Sequence, residues 1–147
     1  MHDLPRKLTA DELARLFEGR TRFVDRLAEQ ANPLDAARGL LATLPEDEQL
    51  EALNAHPRIG AARLSRTSAR EQGGTDDPAV FAELARLNHA YEARFGFRFV
   101  VFVAGRSTSG IVPVFRERLQ RARAEELATG IDEFLAISRD RLERAAR

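Results

Sequence analysis

Hydrophobic residues recur at spacings of three and four along almost the whole chain, with polar residues between them. This spacing places the apolar side chains on one face of a helix. An early case is Leu13, Leu16 and Phe17. The clearest case lies between Asp77 and Gly96, with its apolar face at Phe81, Leu84, Leu87 and Tyr91. The pattern predicts an all-α fold.

Residues that start and stop helices separate these segments. Thr9 and Glu12 have the spacing of a capping box, and Asn32 is followed by a proline that suits the first helical position. Acidic residues follow Pro45, where the positive end of a helix favours them. We therefore predict a series of helices in a single compact multi-helix domain over residues 1–147.

One segment departs from the helical pattern. Phe97–Val103 is rich in β-branched and aromatic residues and has the composition of a strand. A lone strand has nothing to pair with in an otherwise helical chain, so we predict a buried extended or helical piece. The next helix has N-caps at Ser107 to Ser109, and Pro113 is expected in or near its first turn.

Composition narrows the class of protein. The 147 residues suit one domain, and a formal net charge of +0 gives no general attraction to nucleic acid or anionic membranes. The absence of cysteine excludes disulfides, thiolate catalysis and cysteine zinc sites. No apolar run approaches the roughly 20 residues of a membrane span, and no secretory signal is visible. We therefore expect a cytoplasmic protein with no membrane or nucleic-acid partner.

Candidate chemistry is concentrated in Ala55-His56-Pro57-Arg58-Ile59-Gly60 and in the Ser68–Gln72 segment after it. Pro57 restricts the backbone of His56 and favours a helix end there, and Gly60 permits a tight turn. An imidazole exchanges a proton near neutral pH. Ser68 and Glu71 share one face of a helix. Spacing alone leaves open a purely structural interpretation, in which His56 terminates a helix and Ser68 and Glu71 form a capping box.

The same motifs carry a resemblance to a known family. They continue with Phe81-x-x-Leu84-x-x-Leu87-Asn88-x-x-Tyr91, then Arg94-Phe95-Gly96-Phe97, the apolar run and Gly105-Arg106. In this order and at this spacing the sequence resembles the 2-oxo-4-hydroxy-4-carboxy-5-ureidoimidazoline (OHCU) decarboxylases of purine catabolism. The resemblance covers nearly the whole chain from about Leu13.

The resemblance implies an all-α fold and the conversion of OHCU, a small-molecule substrate, to (S)-allantoin without a metal or an organic cofactor. It implies that His56 and Glu71 are catalytic, that Ser68, Arg106 and Pro57 bind substrate, and that a homodimer is possible. An arginine suits a carboxylate, and a histidine suits the proton step. A Glu71 carboxylate beside His56 is expected to raise the pKa of the imidazole, and so to keep it protonated at neutral pH.

Two other interpretations remain open from the sequence. The chain could be a non-catalytic helical interaction module, or a decarboxylase of a related ureido or hydantoin acid. An enzyme needs its site residues around one cavity, whereas a module needs an exposed apolar face. His89 is predicted to be a surface or packing residue, and the C-terminal arginines are predicted to lie on a solvated helix face.

Overall fold

A computed structural model describes residues 8–60 and 77–145 of the chain. These residues form helices and connecting segments and contain no strand, which confirms the all-α prediction for this part of the chain. None of the described helices is long and apolar enough to cross a membrane. In order, the helices are α1 (Ala10–Leu16), α2 (Arg22–Leu27), α3 (Pro33–Thr43), α4 (Glu46–Asn54), α5 (Pro78–Phe95), α6 (Thr108–Leu119) and α7 (Arg123–Ala145).

The helix ends follow the capping residues that the sequence offers. Thr9 and Glu12 form both bonds of a capping box at the start of α1. Asp77 accepts a hydrogen bond at the start of α5, and Gly96 ends that helix in the left-handed conformation, with φ of 83°. Asn32 is the N-cap of α3, although its side chain makes no capping bond. Local sequence therefore decides where most of these helices begin and end.

Pro113 lies deeper in its helix than predicted. The Ser107 hydroxyl accepts from the Gly110 N–H, so α6 begins at Thr108 and Pro113 is inside the helix. The prediction that Pro113 falls in or near the first turn was wrong, because the cap forms at the first of the available serines. Proline has no N–H, so the carbonyl of Ser109 loses its usual helical partner.

The chain divides into two compact units. The first unit comprises Met1–His56 and Phe134–Arg147, and the second unit comprises Pro57–Glu133. The single domain expected over residues 1–147 stays a prediction.

Three phenylalanine rings form the centre of the first unit. Phe17 meets Phe23 edge to face at 5.3 Å and lies 5.0 Å from Phe134 between ring centroids. All three side chains are almost completely buried. Burying each of them stabilises the fold by about 1.5–3 kcal/mol. The cluster joins α7 to α1 and α2 within this unit.

Aromatic residues also fill the second unit, around the segment that departs from the helical pattern. The ring of Tyr91 lies between 4.6 and 5.9 Å from the rings of Phe95, Phe97, Phe99 and Phe115. Residues 98–103 lie outside any helix, and most of Phe97–Val103 is buried. This confirms the prediction of a buried, non-strand segment. The ring contacts give this segment a fixed place against α5 and α6.

Side chains satisfy polar backbone groups of this segment, as a partner strand would do in a sheet. The Arg118 guanidinium donates to the Val100 carbonyl at 2.7 Å, and the Phe102 N–H donates to the Glu133 carboxylate at 3.1 Å. Buried backbone groups need such partners, because leaving them without a hydrogen bond costs free energy. The partners of this segment are therefore side chains from later in the chain, which the sequence of the segment itself does not indicate.

A buried network of charged and polar groups surrounds Arg118. Its guanidinium donates to Glu126 at 2.8 Å, and the Tyr91 hydroxyl donates to the same carboxylate oxygen at 2.6 Å. The side chains of Arg118 and Glu126 are 5% and 0% exposed. Burial and the hydrogen bond to Glu126 raise the pKa of Tyr91 well above its usual range, so the phenol stays protonated. The stability of the second unit therefore depends on these pairings.

We expect Glu126→Gln to destabilise the protein by about 3–5 kcal/mol, because it leaves the Arg118 cation buried without a counter-charge. The measurement is the free energy of unfolding in urea. Asp25→Asn is the control, since Asp25 pairs with Arg20 and both side chains are 54% exposed. Breaking an exposed pair should cost no more than about 1 kcal/mol. Equal losses in the two variants would contradict the prediction.

Candidate functional site

His56 lies in the first unit, immediately after α4. Its backbone N–H donates to the Leu53 carbonyl at 3.2 Å, and the helical bonding ends there. The residue is only 6% exposed. Its imidazole meets the Phe134 ring edge to face, with the centroids 5.1 Å apart. The predicted helix end at His56 is confirmed, and the side chain is buried against an aromatic ring.

One face of α7 packs near this histidine within the first unit. Phe134, Ser138 and Arg141 are spaced by four and three residues, so their side chains lie on the same face. Ser138 and Arg141 both donate to the Leu16 carbonyl, at 3.5 and 3.0 Å. Arg141 is 5% exposed. The prediction that the C-terminal arginines form a solvated face was wrong for Arg141, because a carbonyl at the end of α1 and a carboxylate bind its guanidinium.

That carboxylate belongs to Glu18, which has an unusual backbone conformation. Its φ is 65°, in the left-handed region that glycine favours. The Gly19 N–H donates to the Ala14 carbonyl at 2.9 Å, as in a Schellman motif, and Glu18 takes the position that glycine usually holds there. A side chain in this region costs on the order of 1–3 kcal/mol. The Glu18 carboxylate forms an ion pair with Arg141 at 3.0 Å.

Burial and these charges set the protonation of His56. The pKa of His56 is lowered from 6.5 to about 4, chiefly by burial and also by the Arg141 cation, while the Glu18 carboxylate opposes both effects. Within the described part of the chain, these influences favour a neutral imidazole at pH 7. The expectation of a protonated His56 rests on Glu71, which lies outside the described residues, as does Ser68, and it stays a prediction.

Arg106 is exposed and lies in the second unit, just after the buried extended segment. Its guanidinium donates to the carbonyls of Val103 and Phe102, at 2.9 and 2.6 Å. The side chain therefore curls back over the turn that precedes it. Its position on a turn fixed by these bonds suits a binding residue, and its role in binding substrate stays a prediction.

Pro57 begins the second unit, and α5 binds the residues that follow it. Arg58 makes a bidentate ion pair with Glu92 at 2.6 and 2.8 Å. The Asn88 amide donates to the Ile59 carbonyl at 3.1 Å. Gly60 has φ of 78°, and an added Cβ would lie 3.0 Å from Leu84, so only glycine fits the turn without strain. The segment after Pro57 is thus fixed to α5 by an ion pair, an amide bond and close packing.

A cleft of about 650 Å³ lies beside this segment in the second unit. Its lining residues include Arg58, Gly60, Asn88, His89 and Glu92. Asn88 and Tyr91 are three residues apart on α5, and they bond to different partners, Asn88 to the Ile59 carbonyl and Tyr91 to Glu126. Across residues 8–60 and 77–145, no group of three His, Cys, Asp or Glu side chains could hold a metal ion.

The model of a known protein family, described as OHCU decarboxylase, matches residues 2–143 of the chain. The chain belongs to the OHCU decarboxylase family. A relative from Halalkalicoccus jeotgali, named 2-oxo-4-hydroxy-4-carboxy-5-ureidoimidazoline decarboxylase, is 33% identical over 103 residues, which cover 67% of this chain and 58% of that protein. The uric acid degradation bifunctional protein PucL of Bacillus subtilis is 31% identical over 109 residues, or 71% of this chain and 22% of that protein. The chain thus aligns with little more than half of the first relative and less than a quarter of the second.

Solved structures share the fold of this family member. A crystal structure of OHCU decarboxylase in the presence of (S)-allantoin matches with a TM-score of 0.76 and 22% identity, covering 90% of this chain and 96% of that one. A crystal structure of (S)-allantoin synthase matches with a TM-score of 0.68 and 21% identity, covering 92% of this chain and 48% of that one. The helical architecture inferred from the sequence is therefore the architecture of this family.

Sequence reasoning missed Glu18 and Arg141 as neighbours of His56. Arg141 is one of many arginines near the C-terminus, and Glu18 stands between a helix and a glycine. The only signal for Arg141 is its spacing of seven from Phe134, which places it on the apolar face of α7. Nothing near Glu18 in the sequence points to a partner so distant in the chain.

We expect the stability of the protein to fall as the pH drops from about 6.5 towards 4, because the unfolded chain protonates His56 before the folded one does. The loss from this residue is on the order of 3 kcal/mol. Urea unfolding of wild type and His56→Gln across this range measures it, since the variant lacks this proton uptake. His89→Gln replaces an exposed histidine and is the control. Parallel stability curves for wild type and His56→Gln would contradict the prediction.

Proposed function

We propose that this chain catalyses the decarboxylation of OHCU to (S)-allantoin in urate breakdown, without a cofactor. Support comes from its membership of the family and from the names of its relatives. The observation that carries the proposal is His56, a buried imidazole at a helix end, whose surroundings in the first unit supply both a cation and a carboxylate. A buried histidine with a shifted pKa is characteristic of catalytic sites.

The substrate itself can accept the electrons released in the reaction. When the bond from the ring carbon to the carboxylate breaks, CO2 leaves, and the electron pair is delocalised through the adjacent imine to the ring nitrogen. Solvent protonates that nitrogen, and the ring carbon keeps its hydroxyl group as an enol. The enol must then lose its O–H proton while the neighbouring carbon gains one. These steps need no external electron acceptor, which is why no cofactor is proposed.

His56 suits the transfer of that proton. A neutral imidazole can take the proton from the hydroxyl and deliver it to one face of the neighbouring carbon, which sets the configuration of the product. The lowered pKa of His56 leaves the imidazole neutral and ready to accept a proton at pH 7. Proton acceptance therefore comes first in the proposed mechanism, and donation follows.

The remaining roles follow the family resemblance. Glu71 is proposed to orient His56 or a ring N–H of the substrate, and Ser68 to bond a carbonyl or ureido group. Arg106 is proposed to bind the carboxylate or a ring carbonyl, for which a planar guanidinium is suited. Pro57 is proposed to border the substrate next to His56.

The test is an assay of freshly generated OHCU, followed by the circular dichroism of the (S)-allantoin formed. His56→Gln should lower kcat by about 10²–10⁴-fold, the usual contribution of a positioned proton-transfer group. Arg106→Ala should raise KM more than it lowers kcat, because it removes a binding contact. Asp140→Asn, which removes a partly exposed carboxylate paired with Arg144, should behave as wild type.

Three outcomes would contradict parts of the proposal. Wild-type protein that does not accelerate the formation of (S)-allantoin would refute the activity. A folded His56→Gln variant with normal turnover would remove His56 from the mechanism. Turnover of a related hydantoin acid in preference to OHCU would retain the proton chemistry and change the substrate.

We also propose that the protein is a cytoplasmic homodimer, with the family resemblance as the support for the dimer. Sedimentation equilibrium at micromolar concentration should give twice the mass of the 16.4 kDa chain. A single species at the mass of one chain would contradict the dimer.

A further inference from the structure

Glu18 keeps a side chain at a position where the backbone favours glycine. The left-handed φ of 65° and the Schellman bond from Gly19 define this position. A glycine stands immediately after it, one residue too late to relieve the strain. Strained residues persist where the surrounding structure holds them, and they cluster at functional sites. The strain at Glu18 therefore points to a role for its carboxylate.

The carboxylate is directed to the face of α7 that borders His56. The Glu18 carboxylate forms an ion pair with the Arg141 guanidinium at 3.0 Å. The same guanidinium donates to the Leu16 carbonyl at 3.0 Å. Phe134, seven residues earlier on the same face, contacts the imidazole ring. The side chains of Arg141 and Glu18 are 4% and 11% exposed, so solvent screens their charges little.

These two charges act on His56 in opposite directions. Arg141 lowers the pKa of the imidazole and Glu18 raises it. Without Glu18, the buried Arg141 cation would disfavour a positive charge on His56. A proton shuttle must carry a positive charge for part of each turnover. Glu18 is thus placed to make that charged state accessible.

We propose that Glu18 is a positioning residue for His56, whose carboxylate fixes Arg141 and offsets its charge so that the buried imidazole can pass through its protonated state during turnover. This inference rests on the proposed function, because it gives Glu18 a part in the proton transfer assigned to His56. Glu18 acts on His56 by holding Arg141 in place and through the electrostatic effect of its own negative charge, without contact with the substrate.

The test compares two variants with a matched control. Glu18→Gln keeps the size of the side chain and removes its charge, and Glu18→Gln/Arg141→Met removes both charges of the buried pair. Asp140→Asn is the control, because Asp140 pairs with Arg144 on the same helix at 2.9 Å and both side chains are about 30% exposed. For each protein, the titration of the His56 imidazole is followed by NMR, and kcat and KM are measured with OHCU.

Glu18→Gln should lower the pKa of His56, and the double variant should raise it above that of Glu18→Gln, because the opposing cation is also gone. A fall of about one pH unit in that pKa corresponds to a fall in kcat of up to about tenfold, with KM little changed. Asp140→Asn should match wild type in both readouts. A purely structural role would not lower the pKa of His56 in Glu18→Gln and reverse that fall in the double variant.

The outcomes separate this inference from the proposed function. An active wild type with the His56 titration and kcat unchanged in folded Glu18→Gln would overturn the inference and leave the function standing. An inactive wild type would refute the function, and the titration shifts alone would then decide whether Glu18 controls His56. If Glu18→Gln does not fold, Arg141→Met and the double variant decide, since a pKa of His56 no lower in the double variant than in Arg141→Met would overturn the inference.

Discussion

Two buried arginines satisfy backbone carbonyls that regular structure leaves open, and each unit depends on one of them. Arg118 binds the Val100 carbonyl in the second unit, and Arg141 binds the Leu16 carbonyl in the first. Each guanidinium is paired with a buried or nearly buried carboxylate. Charged groups are expensive to bury alone, so each arginine requires its partner as well as its carbonyl. Irregular backbone, ion pair and aromatic core therefore form one interdependent arrangement in each unit.

Local features of the fold could be predicted from the sequence, because their causes are local. The capping box at Thr9 and the glycine stop at Gly96 depend on residues within one helical turn. The burial of the extended segment could be predicted from its composition. Pro113 could not be placed, because three residues before it offered equivalent caps and only the folded chain selects Ser107. Competition between similar local signals is decided by packing.

The surroundings of His56 show a different limit of sequence reasoning. Arg141 reaches a carbonyl 125 residues earlier in the chain, and no local pattern encodes such a contact. The expected pKa of His56 was raised, because a nearby carboxylate was the only influence that the sequence suggested. Among the described surroundings, desolvation is the largest influence and lowers that pKa, and it depends on packing such as the contact with Phe134. The identity of the histidine could thus be inferred from a motif, whereas its protonation state required the fold.

The segment Phe97–Val103 has a consequence for the unfolded chain. It combines β-forming and aromatic residues with a single charge at Arg98, which is the composition of segments that stack into cross-β aggregates. In the folded protein, rings and the side chains of Arg118 and Glu133 cover it and bind its polar backbone groups. Partial unfolding of α5 or α6 would expose this segment, which could then pair with the same segment of another chain. The same contacts that fix this segment in the native fold therefore also protect the protein from aggregation during folding and heating.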